Sequence, residues 1–438
     1  MPAPKKTRPK GEGAIYQRSS DGIWCASLEL RSPDGSRRRK VVTAKTEAQV
    51  KVKLKDIKTR LARDGDIPTS GQTLETWMNY WYREIAVKRV RPRTAANYRS
   101  TIDNHIIPSL GKVRLDRLTP AHVRRLHADM AAKPKDPKNP AKGNISSSTI
   151  QLAHRILAVS LKYAEREKRV TDNVANLTDA PRVARTNLTV LTADHGVSVL
   201  RAVAGDSTST PPAPADRLGS RWAAALLTGA RQGELLGLEL DRVSDKLDLS
   251  WQLQRITWQH GCGNTCGEKI GARCPKKHIV APSDWEHRPL MGGLRLSRPK
   301  SHAGWRIIPL VDPLRTIIER RIEVAATEHN PFGLMWTADP KMDKHGRLQP
   351  LDGSPIDPSR DNKAWHEILR RAEVPDARLH DARHTTASLL LKAGVPEKVI
   401  MQILGHNSFV VTRKYQDVDL EQLNDAMNKL SAMLPLER

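Results

Sequence analysis

Arg231 in Thr228-Gly-Ala-Arg-Gln-Gly-Glu234, Lys300, His380-Asp-Ala-Arg383, Leu404-Gly-His406 and Tyr415 follow one another in the second half of the chain. Five of these groups can face a phosphate, and a phenol follows nine residues after the last of them. Such a set suits attack on a phosphodiester without a metal. The attacking tyrosinate needs a base, because a phenol with a free pKa of about 10 is mostly protonated at pH 7. The pentacovalent phosphorane needs cations on its non-bridging oxygens. Arginine fits that task because guanidinium is always charged and forks onto phosphate oxygens.

Spacing adds to residue type. His380 and Arg383 are three residues apart, which on a helix puts both on one face, able to address one phosphate. Leu404-Gly-His406 comes 23 residues after Arg383, with Pro396 starting and Gly405 ending the helix between them. Arg231 sits in a tight passage between a buried helix and a shorter one, where free amides favour an anion. The other five tyrosines, at 16, 80, 82, 98 and 163, all lie upstream, so Tyr415 is the expected nucleophile. Taken alone, His-x-x-Arg is a weak signal and an isolated tyrosine is usually a packing residue. The order of the whole set overturns that reading.

These motifs, between 228 and 415, resemble those of the tyrosine recombinase, or phage integrase, family, and the resemblance covers nearly all the chain. It implies a 3′-phosphotyrosyl intermediate, formed without ATP or a catalytic metal, and a homotetramer acting on double-stranded DNA attachment sites. A directionality factor such as an excisionase is an implied partner. Glu234 matches the acidic position that follows the family's first arginine and takes a supporting role. Family members carry a lysine on the turn within Arg298-Pro-Lys-Ser-His-Ala-Gly-Trp-Arg306 that protonates the departing 5′ oxygen. This chain departs there: many relatives read Lys-Thr-Lys where it has Lys-Ser-His, so Lys300 is the expected acid and His302 the alternative. His406 is implied as a donor to the scissile phosphate. The activity implied is that of an integrase of a phage or integrative mobile element. Resolvases and inversion enzymes share the chemistry. A noncatalytic DNA-binding regulator would need the basic domains but not the ordered site.

The elements that position these groups can be read outward. At 438 residues the chain suggests several domains, and its net charge of +25 calls for an anionic partner, DNA before RNA or an acidic membrane. Residues 1–63 hold 17 basic against 6 acidic side chains. The expected fold class is mainly α with small β-sheets (α+β), in three parts. Residues 1–66 form a basic module with strands at 14–17, 23–30 and 37–43, separated by Ser-Ser-Asp-Gly and Ser-Pro-Asp-Gly turn signals. Its helix opens on the capping box Thr46-Glu-Ala-Gln49 and buries Val50, Leu54, Ile57 and Leu61. A twisted sheet carrying Arg37, Arg38, Arg39 and Lys40 can enter a major groove, and the module resembles the family's arm-binding domain. Residues 72–182 read as a bundle of four or five helices, with a helix stopping at Pro108 and Gly111 and a Pro/Lys loop at 131–144, and it resembles the family's core-binding domain. A basic linker precedes a catalytic domain at 188–430, in which 206–216 reads as a surface loop. Within that domain, 247–258, 294–297 and 305–310 are expected to form one three-stranded sheet. From Leu420 an amphipathic helix carries Leu423, Met427, Leu430 and Leu434, suited to a neighbouring subunit or to its own domain.

An insert at 260–290 holds three of the four cysteines. Cys262, Cys266, Cys274 and His278 have the spacing of a Cys₃His structural zinc site, with His260 able to replace His278. Four cysteines in a chain this long make no disulfide framework, no apolar run is long enough to span a membrane, and no secretory signal opens the sequence. The expected location is the cytoplasm of a bacterial host, on its nucleoid.

Overall fold

The structure, a computed structural model, describes residues 13–31, 37–64, 72–183, 189–204, 216–263, 265–299, 304–405 and 420–434. They fall into two compact units, Met1–Arg185 and Thr186–Arg438.

The first unit opens with an antiparallel sheet, β1 (Ala14–Gln17), β2 (Trp24–Arg31) and β3 (Arg37–Ala44), with β2 in the middle. The β1–β2 turn closes because Gly22 takes φ +66° and the Asp21 carboxylate accepts from Ile23 N and Arg18 Nε. Helix α1 (Glu47–Asp64) is capped by Thr46 Oγ1, which accepts from Gln49 N at 3.3 Å. Its Val50 and Leu54 pack on Ala26, Leu28 and Ala44, with Ile57 and Leu61 at the margin. The basic run on β3 does not share one face. Lys40 pairs with Leu28 and Arg39 with Glu29, so strand alternation puts Lys40 on the face that α1 covers and Arg39 on the opposite one. The side chains of Arg37 and Arg38 lie outside the described residues.

The bundle that follows comprises α2 (Leu74–Trp81), α3 (Pro92–Thr101), α4 (Ile107–Leu110), α5 (Pro120–Ala132) and α6 (Ser147–Arg166). Thr73, Thr119 and Ser146 cap α2, α5 and α6. Pro108 does not stop its helix. A π-helical stretch, Ile102–Ile106, joins α3 to α4, and the Asn104 carbonyl, which a proline four residues on cannot satisfy, accepts from Lys133 Nζ at 3.1 Å.

The second unit is built round α8 (Gly219–Thr228), nearly all of it buried, with α7 (Ala193–Ala204) packed on it. The short α9 (Gln232–Leu236) follows. The expected single sheet is two. β4 (Lys246–Asp248) pairs with β10 (Ile307–Pro309), whereas β5 (Gln252–Arg255) pairs with β9 (Leu294–Ser297), which continues onto β8 (His287–Pro289). The break is local: the Asp248 side chain takes Ser250 N at 2.9 Å, turning the chain between β4 and β5 out of ladder geometry. Between β5 and β8, β6 (Gln259–His260) and β7 (Lys277–His278) form a separate ribbon. Four further helices carry or support the site: α10 (Leu314–Thr327), α11 (Pro358–Arg371), α12 (Leu379–Lys392) and α13 (Glu397–Leu404). The last helix, α14 (Leu420–Ala432), buries Leu423, Met427 and Leu430 in this unit's own core, and Leu434 just beyond it is buried there too. No described helix is long and apolar enough to cross a membrane.

Candidate active site

Arg231 is the N-cap residue of α9, two residues beyond Gly229, which ends α8 in the left-handed region at φ +59°. A Cβ at Gly229 would also stand 2.6 Å from Leu404 Cδ2, so backbone conformation and close packing both require glycine. The acid at 234 faces back onto this turn. Glu234 Oε2 accepts from Arg231 N and Oε1 from Arg231 Nη1, both at 2.7 Å. Gln232 is anchored the other way, its Nε2 donating to Pro358 O and Asp361 Oδ2.

His380 and Arg383 lie in the first turns of α12, whose N-terminus is capped by the buried Asp381 carboxylate accepting from Arg378 N. His380 is at the surface, its ring set edge-on to that of His384 at 5.2 Å. Partial burial of its ring, then His384, Arg383 and Arg231, hold its pKa below the usual histidine value. Arg383 points inward and is 2% exposed. Burial first, then the charges of Arg231 and Arg306, pull it down to about 9, with Glu234 opposing.

Three arginines meet at the C-terminus of α13. Its last carbonyls have no partner in the helix and carry the negative end of the dipole. Arg306 Nε donates to Ile403 O at 2.6 Å, Arg383 Nη2 to Leu404 O, and Arg231 Nη2 to Gly405 O at 2.8 Å. Arg383 also reaches Gly229 O at 2.8 Å. Three successive carbonyls thus take three different guanidinium groups, fixing Arg231 and Arg383 beside each other immediately before residue 406. Glu234 is the carboxylate among them. Burial would push its pKa up, but the hydrogen bonds and charge of Arg306, with the charge of Arg231, hold it below the usual carboxylate range. Sequence reading missed Arg306. The signal was a lone cation inside the apolar run Trp305-Arg-Ile-Ile-Pro-Leu310.

Lys300, His302, His406 and Tyr415 lie outside the described residues, so Arg231, Glu234, His380 and Arg383 are the predicted groups brought together here.

The insert gathers His260, Cys262, Cys266 and Cys274, whose ligand atoms all lie within 4.8 Å of one another. His260 Nδ1 is 3.3 Å from Cys266 Sγ and 3.9 Å from Cys262 Sγ, and Cys274 Sγ is 3.5 Å from Cys262 Sγ. His278 is not in the group. It pairs with Gln259 across the β6–β7 ribbon while His260 pairs with Lys277, so alternation sends the two histidines to opposite faces.

A family model for the phage integrase N-terminal SAM-like domain matches residues 73–131, and one for the phage integrase family matches residues 291–422. An integrase of Saccharopolyspora erythraea is 30% identical over 454 residues, covering 98% of this chain and 98% of that protein. An integrase of Streptomyces ambofaciens is 25% identical, covering 93% and 92%. In fold, the chain is similar to the Tn1549 transposon integrase solved in complex with transposon right end DNA. That likeness has a TM-score of 0.54 at 17% identity and covers 82% of this chain and 94% of that one. The chain belongs to the tyrosine recombinase, or phage integrase, family: it is a site-specific DNA recombinase of the integrase type.

Proposed function

We propose that this enzyme is the integrase of a phage or integrative mobile element and that it cuts and rejoins DNA through Tyr415. The Tyr415 oxygen attacks the scissile phosphorus, forming a 3′-phosphotyrosyl bond as the P–O5′ bond breaks. The phenol proton goes to a base, and His380, whose surroundings hold its pKa below the usual histidine value, suits that task. The departing oxygen takes a proton from Lys300, with His302 the alternative acid. Arg231, Arg383 and His406 hold the non-bridging oxygens, and Glu234 keeps Arg231 in place. The freed 5′ hydroxyl then attacks the phosphotyrosyl bond of the partner strand, so bond energy is conserved and neither ATP nor a catalytic metal takes part. The observation that carries this reading is the convergence of Arg231 and Arg383 on the carbonyls of residues 404 and 405, directly before His406. On a nicked suicide duplex spanning an attachment-site junction, protein and DNA are expected to become covalently joined in the presence of EDTA. Hydrolytic nicking that leaves no joined product would overturn the reading.

Around that chemistry we assign residues 1–66 to arm-site binding through the β3 face bearing Arg39, 72–182 to core-site binding, and 188–430 to catalysis. The working assembly is a homotetramer on two duplexes, reversed with the help of an excisionase, in the cytoplasm of a bacterial host.

The insert is read as a structural zinc site with His260, Cys262, Cys266 and Cys274 as ligands. Zinc bonds of about 2.3 Å to sulfur and about 2.0 Å to nitrogen in a tetrahedron separate the ligand atoms by about 3.5–3.8 Å. The 3.3, 3.5 and 3.9 Å separations bracket that span. The metal would order the insert and take no part in strand transfer.

A further inference from the structure

We infer that Arg306 is a positioning residue of the cleavage step: it sets the place of the Arg231 guanidinium at the scissile phosphate. The inference rests on the phosphate-binding role proposed above for Arg231. Arg306 has no reason to be buried for packing alone, since an unpaired buried guanidinium is strongly unfavourable. It is 6% exposed, and each of its three nitrogens has a hydrogen-bond partner. Nη1 and Nη2 fork onto the two Glu234 oxygens at 2.9 and 2.7 Å, and Nε donates to Ile403 O at 2.6 Å. Arg306 thus joins the acid of the first arginine box to the last turn of α13 from the buried side, as Arg231 does from the open side.

Two arginines share one carboxylate here, and they use it differently. Arg306 takes both Glu234 oxygens from the buried side, whereas Arg231, with about a third of its side chain exposed, takes Oε1 from the open side. Held by Arg231 alone, the carboxylate would have one backbone amide and one guanidinium nitrogen and no partner on its buried side. Anchored by a buried bidentate partner, it gives Arg231 a fixed abutment, while Gly405 O fixes the far end of the same guanidinium. Arg306 also contributes a positive charge that acts on Arg383. The buried cluster therefore holds three guanidinium groups against one carboxylate, an excess positive charge that the arriving phosphate offsets.

Charge neutralisation at phosphorus offers a test that overall stability does not mimic. A suicide duplex built on the element–chromosome junction is prepared with either the ordinary phosphate or a neutral methylphosphonate at the scissile position. Arg231→Ala, the reference for impaired charge neutralisation, should form adduct on the order of 10²-fold more slowly on the phosphate. It should recover to within several-fold of wild type on the methylphosphonate, which needs less positive charge around it. Arg306→Gln should show the same pattern of loss and recovery. Arg306→Lys keeps the charge, and with it a better prospect of folding, but cannot serve Glu234 and Ile403 together. It should give a smaller loss that the methylphosphonate also removes. Equal slowing on both substrates in either Arg306 variant, or no slowing, overturns the positioning role. Failure of Arg231→Ala itself to recover would instead overturn the reading of Arg231.

Discussion

Arg221 and Asp361 form an ion pair at 2.6 Å in which neither side chain reaches solvent. The guanidinium also lies 4.1 Å from the ring of Trp222, and the same Asp361 oxygen receives Gln232, the neighbour of Arg231. The Arg221 Nε and Nη1 atoms and Asp361 Oδ1 have no hydrogen-bond partner among the described residues. Such a pair adds little net stability over an apolar one but cannot tolerate the loss of one member. Asp361→Ala should therefore lower unfolding stability by about 3–5 kcal/mol in urea titrations. The double replacement of Arg221 by Met and Asp361 by Leu should recover most of it. A single-variant cost below about 1 kcal/mol, the range of an exposed pair, would contradict this account.

With His380 as the proposed base, its lowered pKa would set the acid limit of the reaction. A base must be neutral, so cleavage should persist below pH 6.5 and fall only as the pH drops through the lowered value. His384→Ala removes one of the groups holding that pKa down and should move the acid limb toward higher pH. Single-turnover adduct formation across pH 5 to 8 measures both. An acid limb at or above 6.5 in the unaltered enzyme would remove His380 from the base role.

For the metal, the two histidines separate the readings. Protein purified without a His-tag should carry close to one equivalent of zinc, and His260→Ala or Cys266→Ser should lower it. His278→Ala should leave it unchanged. Loss of zinc from His278→Ala but not from His260→Ala would reverse the ligand assignment.

The amino-terminal module should add affinity but no chemistry. Deleting residues 1–66 is expected to abolish binding to arm sites and leave core-site cleavage intact. The slope of log affinity against log salt should fall by about 0.9 for each phosphate that the shortened protein no longer neutralises, and Arg39→Ala should account for about one of these. Unchanged arm-site binding by the deletion would contradict the assignment.

What the sequence made legible was local. Thr46 with Gln49 marks a helix start because a cap is an interaction over three residues, and the spacing of Val50, Leu54, Ile57 and Leu61 marks a buried face in the same way. Arg231, Glu234, His380 and Arg383 were legible through their motif, not through any visible pairing. What escaped depends on partners distant in sequence. Pro108 reads as a stop unless Lys133 is known to satisfy Asn104 O. β10 pairs with β4 because the chain turns at Asp248, which no alternation pattern reports. Arg306 gains its role from residues 72 and 97 positions away. The choice of His260 over His278 required the register of a two-residue ribbon.

The phenol oxygen at position 415 is proposed to become bonded to DNA. The direct measurement is adduct formation on a suicide duplex by the unaltered enzyme and by Tyr415→Phe, with the joined peptide identified by mass spectrometry. A DNA-linked peptide containing Tyr415 is expected in the first and none in the second, with folding and DNA affinity unchanged. A covalent adduct that persists in Tyr415→Phe, or one linked through another residue, would contradict it.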